Sequence, residues 1–180
     1  MIDPKITIIT TVKNDVKRIE KTILSVLSQN YKNLEYIVID GGSTDGTLEV
    51  IKKYSLKLHY WEINKNDKGI YDGFNRGLNF ATGDLIGIVN SGDIYTEKAF
   101  KYLTKYYHSN PDVDFFFGSV KKHYATLYGY KPYKIKYSWG FYTSHSTGFF
   151  IKQNAFKKVG YYDLKYKISS DYDYFYRMIV

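Results

Sequence analysis

The chain has no cysteine among its 180 residues. That excludes a disulfide-stapled fold, a thiol nucleophile and a cysteine-ligated zinc or iron–sulfur centre. Proline occurs three times, and arginine is as scarce: Arg18, Arg76 and Arg177 leave 23 of the 26 basic residues to lysine. No apolar run approaches the ~20 residues of a membrane-spanning helix. No G-x-x-x-x-G-K-[ST] segment is present, which excludes a phosphate-loop NTPase, and no G-x-G-x-x-G fingerprint either. Met-Ile-Asp-Pro-Lys leads straight into a strand-like run, so no signal peptide is expected and the expected compartment is the cytoplasm. What is present is 44% apolar residues, 21 tyrosines and a net charge of +8. This length fits one domain, since domains run ~50–250 residues, and it suffices for a core without staples. The lysine and tyrosine excess matches the drift of an AT-rich genome, which accounts for most of the charge.

Ile6–Thr11 is β-branched and apolar and predicts a strand. Val16, Ile19, Ile23, Val26 and Leu27 recur at spacings of three and four, one face of a helix that Asn14 or Asp15 would cap. Leu34–Asp40 predicts the next strand, Leu48–Tyr54 a short helix, and Leu58–Trp61 a third strand. A helix follows over Ile70–Ala81, a buried strand over Leu85–Val89, a helix over Glu97–Ser109 and a strand over Val113–Val120. Such alternation argues for an α/β fold, with a mainly parallel sheet covered by helices on both faces. Further on, Thr147–Ile151 predicts a strand, Asn154–Val159 a helix, and Tyr172–Val180 a helix without stop signals, so a longer natural polypeptide is expected.

Ligands bind such sheets at the carboxyl ends of the strands, where Thr10–Asn14, Asp40–Ser43, Glu62–Asp67 and Asn90–Asp93 all fall. In Asn90-Ser91-Gly92-Asp93, a carboxylate at a strand end can hold a hard divalent cation, or it can cap the next helix. Asp40-Gly41-Gly42-Ser43 lets backbone approach a ligand while Asp40 accepts from a base or ribose hydroxyl, or it is a tight turn. Lys68, in Asp67-Lys68-Gly69-Ile70-Tyr71-Asp72, suits a pyrophosphate at a helix start, or the segment is a solvated loop. Asp171 and Asp173 stand two apart and point to different sides of a helix. Lys121–Tyr137 carries five lysines, five interleaved tyrosines and no acid. His145 precedes Ser146 and Thr147 without an evident orienting group.

Taken together, these segments resemble the family-2 glycosyltransferases. The matching text is Ile8–Asn14 (IITTVKN), Ser25–Tyr31, Glu35–Thr47 (EYIVIDGGSTDGT), Asp67–Gly77 (DKGIYDGFNRG), Ala81–Asp84, Val89–Tyr95 (VNSGDIY), His145–Ile151 and Ser170–Arg177. The likeness is strongest up to Tyr95 and points to bacterial capsule, O-antigen or exopolysaccharide enzymes. It implies a GT-A fold, a nucleotide-binding half over 1–95 and an acceptor-side half over 96–180. It implies an inverting transferase that moves a sugar from a nucleotide-diphospho-sugar, UDP favoured, to a glycan or lipid-linked acceptor. By the same resemblance, Asp93 is the ligand of Mg²⁺ or Mn²⁺ and Asp171 the catalytic base, while Thr11, Asn14, Asp40, Lys68, Asp72 and Ser91 surround the donor. Gly41 and Gly92 stand where relatives usually carry a second acid, and Ser170 stands where glutamate is common.

Two rival readings are kept. A degenerate nucleotide-sugar or glycan-binding module is motivated by Gly41 and Gly92. A nucleic-acid binder is motivated by Lys121–Tyr137, but no nucleic-acid motif accompanies it, so no nucleic-acid partner is expected. Tyrosine faces and lysines there suit sugar rings and an anionic leaflet, hence an expectation of peripheral membrane association.

Overall fold

The computed structural model describes residues 2–122, 126–127 and 146–179. Its central strand, β1 (Ile6–Val12), is buried along its whole length. β2 (Leu34–Asp40) pairs parallel to one side of it, and β3 (Tyr60–Ile63) pairs parallel to β2. The chain then crosses back, and β4 (Leu85–Ile88) pairs parallel to the other side of β1. The strand order therefore reverses between β1 and β4, the switch point where an open α/β sheet forms its ligand crevice. β8 (Phe149–Lys152) runs antiparallel to β4, and β5 (Phe115–Phe117) runs antiparallel to β8. One six-stranded sheet in the order β3-β2-β1-β4-β8-β5 results.

Both faces are covered. The stripe Ile19, Ile23 and Val26 of α1 (Ile19–Leu27) packs on one face with α2 (Thr47–Lys53) and α4 (Ala99–Ser109). On the other face lie Tyr71, Phe74 and Leu78 of α3 (Ile70–Phe80), with α5 (Gln153–Val159) and Tyr174 and Phe175 of α6 (Ser170–Ile179). Each such side chain stabilises the fold by about 1.5–3 kcal/mol before chain entropy is charged. Helix α3 lies unusually close to β1, because a Cβ on Gly77 would stand 2.3 Å from Ile9 Cγ2.

Three expectations are corrected. The third strand starts at Tyr60, because Ser55–Lys57 form a 3-10 turn and pairing begins only with His59 N donating to Tyr36 O. The strand expected over 113–120 is shorter: it pairs with β8 over Phe115–Phe117, and Gly118 N, donating to Gly148 O, closes that register before the run breaks. Past that break, β6 (Val120–Lys121) leaves the sheet to pair with β7 (Thr126–Leu127). Asn14 and Asp15 do not cap α1 through their side chains; the N–H groups of Arg18 and Ile19 both donate to the Asp15 carbonyl instead.

The amino ends of the strands are clamped by one buried acid. Glu35 accepts from Lys5 Nζ at 2.6 Å, Thr7 Oγ1 at 2.5 Å, Thr82 N at 2.7 Å and Thr82 Oγ1 at 2.6 Å. Burial pushes its pKa up, but these donors outweigh burial and hold the carboxyl at about 2. Ala81–Asp84, part of the family-like text, therefore belongs to this clamp and not to the ligand end.

Candidate active site

At the opposite edge of the sheet the carboxyl-end loops hold one another by side chain to backbone bonds. Thr11 Oγ1, at the end of β1, donates to Asn90 Oδ1 at 3.0 Å and so spans the switch point. Asn14 takes the left-handed conformation (φ 50°), accepts from Thr44 N at 2.8 Å and donates its own N–H to Ser43 Oγ at 2.8 Å. Ser91 Oγ donates to Asp15 Oδ2 at 2.6 Å. Asp40 is fully buried; its Oδ1 accepts from Gly42 N at 2.9 Å and Ser43 N at 2.8 Å, while Oδ2 is buried without a hydrogen-bond partner. A bare buried carboxylate oxygen is costly, and a ligand hydroxyl or a water is the kind of group that would relieve it.

Asp93 does not cap α4, whose first turn begins at Ala99 behind Lys98. Its carboxylate is fixed by Thr147, whose Oγ1 donates to Oδ2 at 2.6 Å. Its backbone is fixed by Thr22 of α1: Thr22 Oγ1 accepts from Gly92 N at 3.0 Å and donates to Asp93 O at 2.8 Å. Arg18 lies beside this loop, 3.3 Å from where a Cβ on Gly92 would stand. Among the described residues, no group of three or more His, Asp or Glu side chains is placed to hold a metal ion. A single carboxylate is still a hard oxygen donor, and a Mg²⁺ or Mn²⁺ that fills its shell with diphosphate oxygens and water needs only one or two from the protein.

Lys68 is exposed and donates only its backbone N–H, to Asp72 Oδ2 at 3.3 Å. Asp72 itself is a brace, accepting from Asn64 Nδ2 at 2.7 Å. Asp171 lies in the first turn of α6, and its Oδ1 accepts from Tyr71 Oη at 3.0 Å and from Tyr172 N at 2.9 Å. Burial first, and then the Asp171 charge, push the Tyr71 phenol up to about 12, so it stays protonated at neutral pH, its one proton shared between Asp171 Oδ1 at 3.0 Å and the Ile168 carbonyl at 2.8 Å. Asp173 faces the other way and pairs with Arg177 at 2.8 Å.

Thr22, Thr147, Tyr71 and Asp15 carry much of this geometry and were not singled out as site residues from sequence. Thr22 does have a signal: it is a polar residue inside the apolar stripe of α1, and it is fully buried. His145 and most of the basic, tyrosine-rich stretch (123–125 and 128–137) lie outside the described residues.

Comparison with known proteins identifies the fold and the family. The chain is 36% identical to EpsE of Bacillus subtilis (strain 168) over 114 residues, covering 58% of this chain and 40% of that protein. TarS of S. aureus superposes with a TM-score of 0.81 at 20% identity, over 97% of this chain and 55% of that one, and has also been solved with UDP and with UDP-GlcNAc. The mannosyltransferase PcManGT from Pyrobaculum calidifontis, solved with GDP-Man and Mn²⁺, superposes with a TM-score of 0.71 at 19% identity, over 91% of this chain and 49% of that one. The chain thus spans about half the length of these proteins or less, and the structural likeness carries the GT-A fold. The model of glycosyl transferase family 2 matches residues 7–172, the span that contains every carboxyl-end loop described above, and the chain belongs to that family.

Proposed function

We propose that this glycosyltransferase moves a sugar, with inversion, from a nucleotide-diphospho-sugar, UDP-sugar favoured, to a hydroxyl of a glycan or lipid-linked acceptor in surface polysaccharide synthesis. One observation carries the reading: the two key acids are joined by an unbroken series of contacts. Asp171 is held by Tyr71 in the first turn of α3. Gly73, in the next part of that turn, packs so near Thr11 that a Cβ there would stand 2.9 Å from Thr11 Cγ2. Thr11 bonds Asn90, Asn90 Nδ2 reaches Ser146 Oγ at 3.4 Å, and the neighbouring Thr147 holds Asp93. A base and a diphosphate-binding acid on one rigid rim are what in-line displacement at an anomeric carbon needs.

In this reading Asp171 takes the proton of the acceptor hydroxyl. The hydroxyl oxygen attacks the anomeric carbon from the face opposite the nucleotide, and the bond to the diphosphate breaks. Oδ2 of Asp171 carries no hydrogen bond among the described residues and is the oxygen that accepts. General base catalysis of this kind is worth roughly 10²–10⁴-fold. Thr11, Asn14 and Ser91 shape the nucleotide side, Asp40 and Asp72 set the loops that line it, and Lys68 faces the departing phosphates. When bound, Mg²⁺ or Mn²⁺ at Asp93 would supply positive charge to the diphosphate. No helix among the described residues is long and apolar enough to cross a membrane, and access to a lipid-linked acceptor would be from the membrane surface. The UDP seen in TarS and the Mn²⁺ seen with PcManGT support the donor and metal classes. Titration calorimetry of UDP with and without Mn²⁺ tests the reading. Asp93→Ala is expected to remove the Mn²⁺-dependent part of the affinity with the fold intact; unchanged metal dependence would refute the assignment.

A further inference from the structure

We infer that the loop over 160–169, between α5 and α6, is an interfacial anchor. It docks on an anionic bilayer leaflet and holds Asp171 at headgroup level, where a lipid-linked acceptor presents its sugar. The inference rests on the acceptor reading above and narrows it to the lipid-linked class.

The backbone of this loop is braced at both ends. Asn75 of α3 bonds Tyr162 twice: Nδ2 donates to Tyr162 O at 2.8 Å, and Oδ1 accepts from Tyr162 N at 2.9 Å. Arg177 of α6 donates to Tyr161 O at 2.9 Å. At the far end Tyr71 Oη donates to Ile168 O at 2.8 Å, and Asp173 N donates to Ser169 O at 3.2 Å. Between these points Asp163 closes a turn, its carbonyl accepting from Tyr166 N at 3.2 Å and its Oδ1 from Lys165 N at 2.9 Å. Yet this braced backbone carries apolar side chains into the open. Ile168 is 89% exposed, above every other described isoleucine except Ile2, and Leu164 is 42% exposed. Apolar surface left in water forgoes the main driving force of folding, and a partner that covers it recovers that term.

Charge says which partner. Lys165 and Lys167 alternate with Leu164, Tyr166 and Ile168, and both are exposed. Residues 157–168 hold four exposed lysines against one acid, Asp163, whose Oδ1 is already engaged by Lys165 N. The combination matches a leaflet surface: aliphatic tips enter the acyl boundary, tyrosine sits at headgroup depth and lysines meet lipid phosphates. A bare glycan would call for hydrogen-bonding groups at the centre of the patch, and leucine and isoleucine offer none. A lysine-rich composition multiplies lysines everywhere, but it does not account for an isoleucine held in the open beside them. Position fits the chemistry as well. The Ile168 carbonyl and the Asp171 carboxylate meet on one Tyr71 hydroxyl, at 2.8 and 3.0 Å, so the anchor and the proposed base form one braced unit. The sequence alone suggests membrane contact through Lys121–Tyr137; this loop is a separate segment with its own anchoring residues.

The test is flotation of the purified chain with vesicles of phosphatidylcholine alone and of phosphatidylcholine mixed with phosphatidylglycerol. The wild type is expected on the mixed vesicles, less so as salt rises. A lysine near an anionic leaflet is worth about fivefold in affinity, so Lys165→Glu with Lys167→Glu should weaken binding by roughly tenfold or more. Leu164→Ser with Ile168→Ser should weaken it comparably, with Tm and UDP affinity close to wild type. Should that double variant fail to fold, Ile168→Ser alone removes the exposed contact. Lys52→Glu with Lys53→Glu, at exposed positions of α2 on the other face of the sheet, should leave binding within about twofold. Ile168→Trp should gain blue-shifted emission on binding, over the native tryptophan background, and acyl-brominated lipid should quench it. No wild-type binding to mixed vesicles, an equal loss in the α2 control, or an unshifted Ile168→Trp spectrum on bound protein would overturn the inference. So would a wild-type dimer in sedimentation that Ile168→Ser dissolves, since the face would then join two copies of the chain. A wild type that binds UDP with Mn²⁺ but no vesicle refutes this inference alone. One that binds vesicles but no nucleotide diphosphate refutes the transferase reading, and with it the role given to the anchor.

Discussion

Asp171 and Asp173 are a matched pair on which the catalytic assignment can be decided. Both lie in the first turn of α6, where the helix dipole favours an ionised carboxylate. Successive helical residues turn by about 100°, so the two side chains diverge by about 200°. The structure shows the consequence: Asp171 reaches α3 and Tyr71, and Asp173 reaches along its own helix to Arg177. Asp171→Asn keeps the size of the side chain, and its amide oxygen can still accept from Tyr71 and from Tyr172 N, so the fold should persist. What is lost is the proton acceptor, and kcat should fall by roughly 10²–10⁴-fold, about 3–5 kcal/mol in the barrier, with donor affinity nearly unchanged. Asp173→Asn removes a partly exposed ion pair worth about 0.5–1 kcal/mol. Arg177 keeps its bonds to the carbonyls of Val159 and Tyr161, which limits the loss. The expected change is a Tm lower by about 1–4 °C with kcat close to wild type. The assay is steady-state transfer, or donor hydrolysis where no acceptor is known, alongside thermal melts of each variant. Near-native turnover in Asp171→Asn, with turnover lost in a folded Asp173→Asn, would refute the assignment.

The Glu35 clamp should be visible in the acid limb of stability. Its folded-state pKa is depressed from 4.5 to about 2, so its contribution is complete above the unfolded value and is lost as pH falls through about 4.5 towards about 2. Glu35→Gln should cost about 3 kcal/mol at neutral pH and flatten that limb in chemical denaturation; an unchanged limb would refute the clamp. Gly77→Ala should destabilise by about 1–3 kcal/mol through overpacking against Ile9, read by the same denaturation experiment. Thr22→Val removes both bonds that hold the Gly92–Asp93 backbone, and it should weaken Mn²⁺-dependent UDP binding more than it lowers Tm, by calorimetry and melting.

Strand and helix identity was legible wherever one period dominated. The stripe Ile19, Ile23 and Val26 and the β-branched run of β1 leave little choice, and the carboxyl-end rule then located the rim of the site. The rest depends on contacts that sequence distance hides. Nothing in the order of segments says that β8 inserts between β4 and β5, because antiparallel insertion is decided by which edge of β4 remains unpaired. Phe115–Val120 reads as one run, but it follows β8 only as far as Gly118, whose N–H still bonds Gly148 O, and Val120 and Lys121 pair with β7 instead. The roles of Tyr71 and Thr147 arise from pairings across 100 and 54 residues. Thr22 was within reach, since a polar residue in an apolar stripe asks for a partner.

The two ends of the sheet divide the work, and this bears on how variants at the site should be read. At the amino end a buried carboxylate with four donors fixes the strands, and a change there acts through stability. At the carboxyl end the loops have little regular structure of their own and are held by the side chains proposed to meet the ligand: Asn14 carries Thr44 N, Asp40 carries Gly42 N and Ser43 N, and Asp72 carries Asn64. Removing such a side chain frees a backbone donor as well as a ligand contact, and an unsatisfied buried donor alone costs about 1–3 kcal/mol. An alanine scan of the rim would therefore lower affinity at nearly every position without separating contact from brace. Asp171 and Asp93 can be separated, because each has a measurement that a brace would not move: the kcat term at constant affinity, and the metal-dependent share of nucleotide binding.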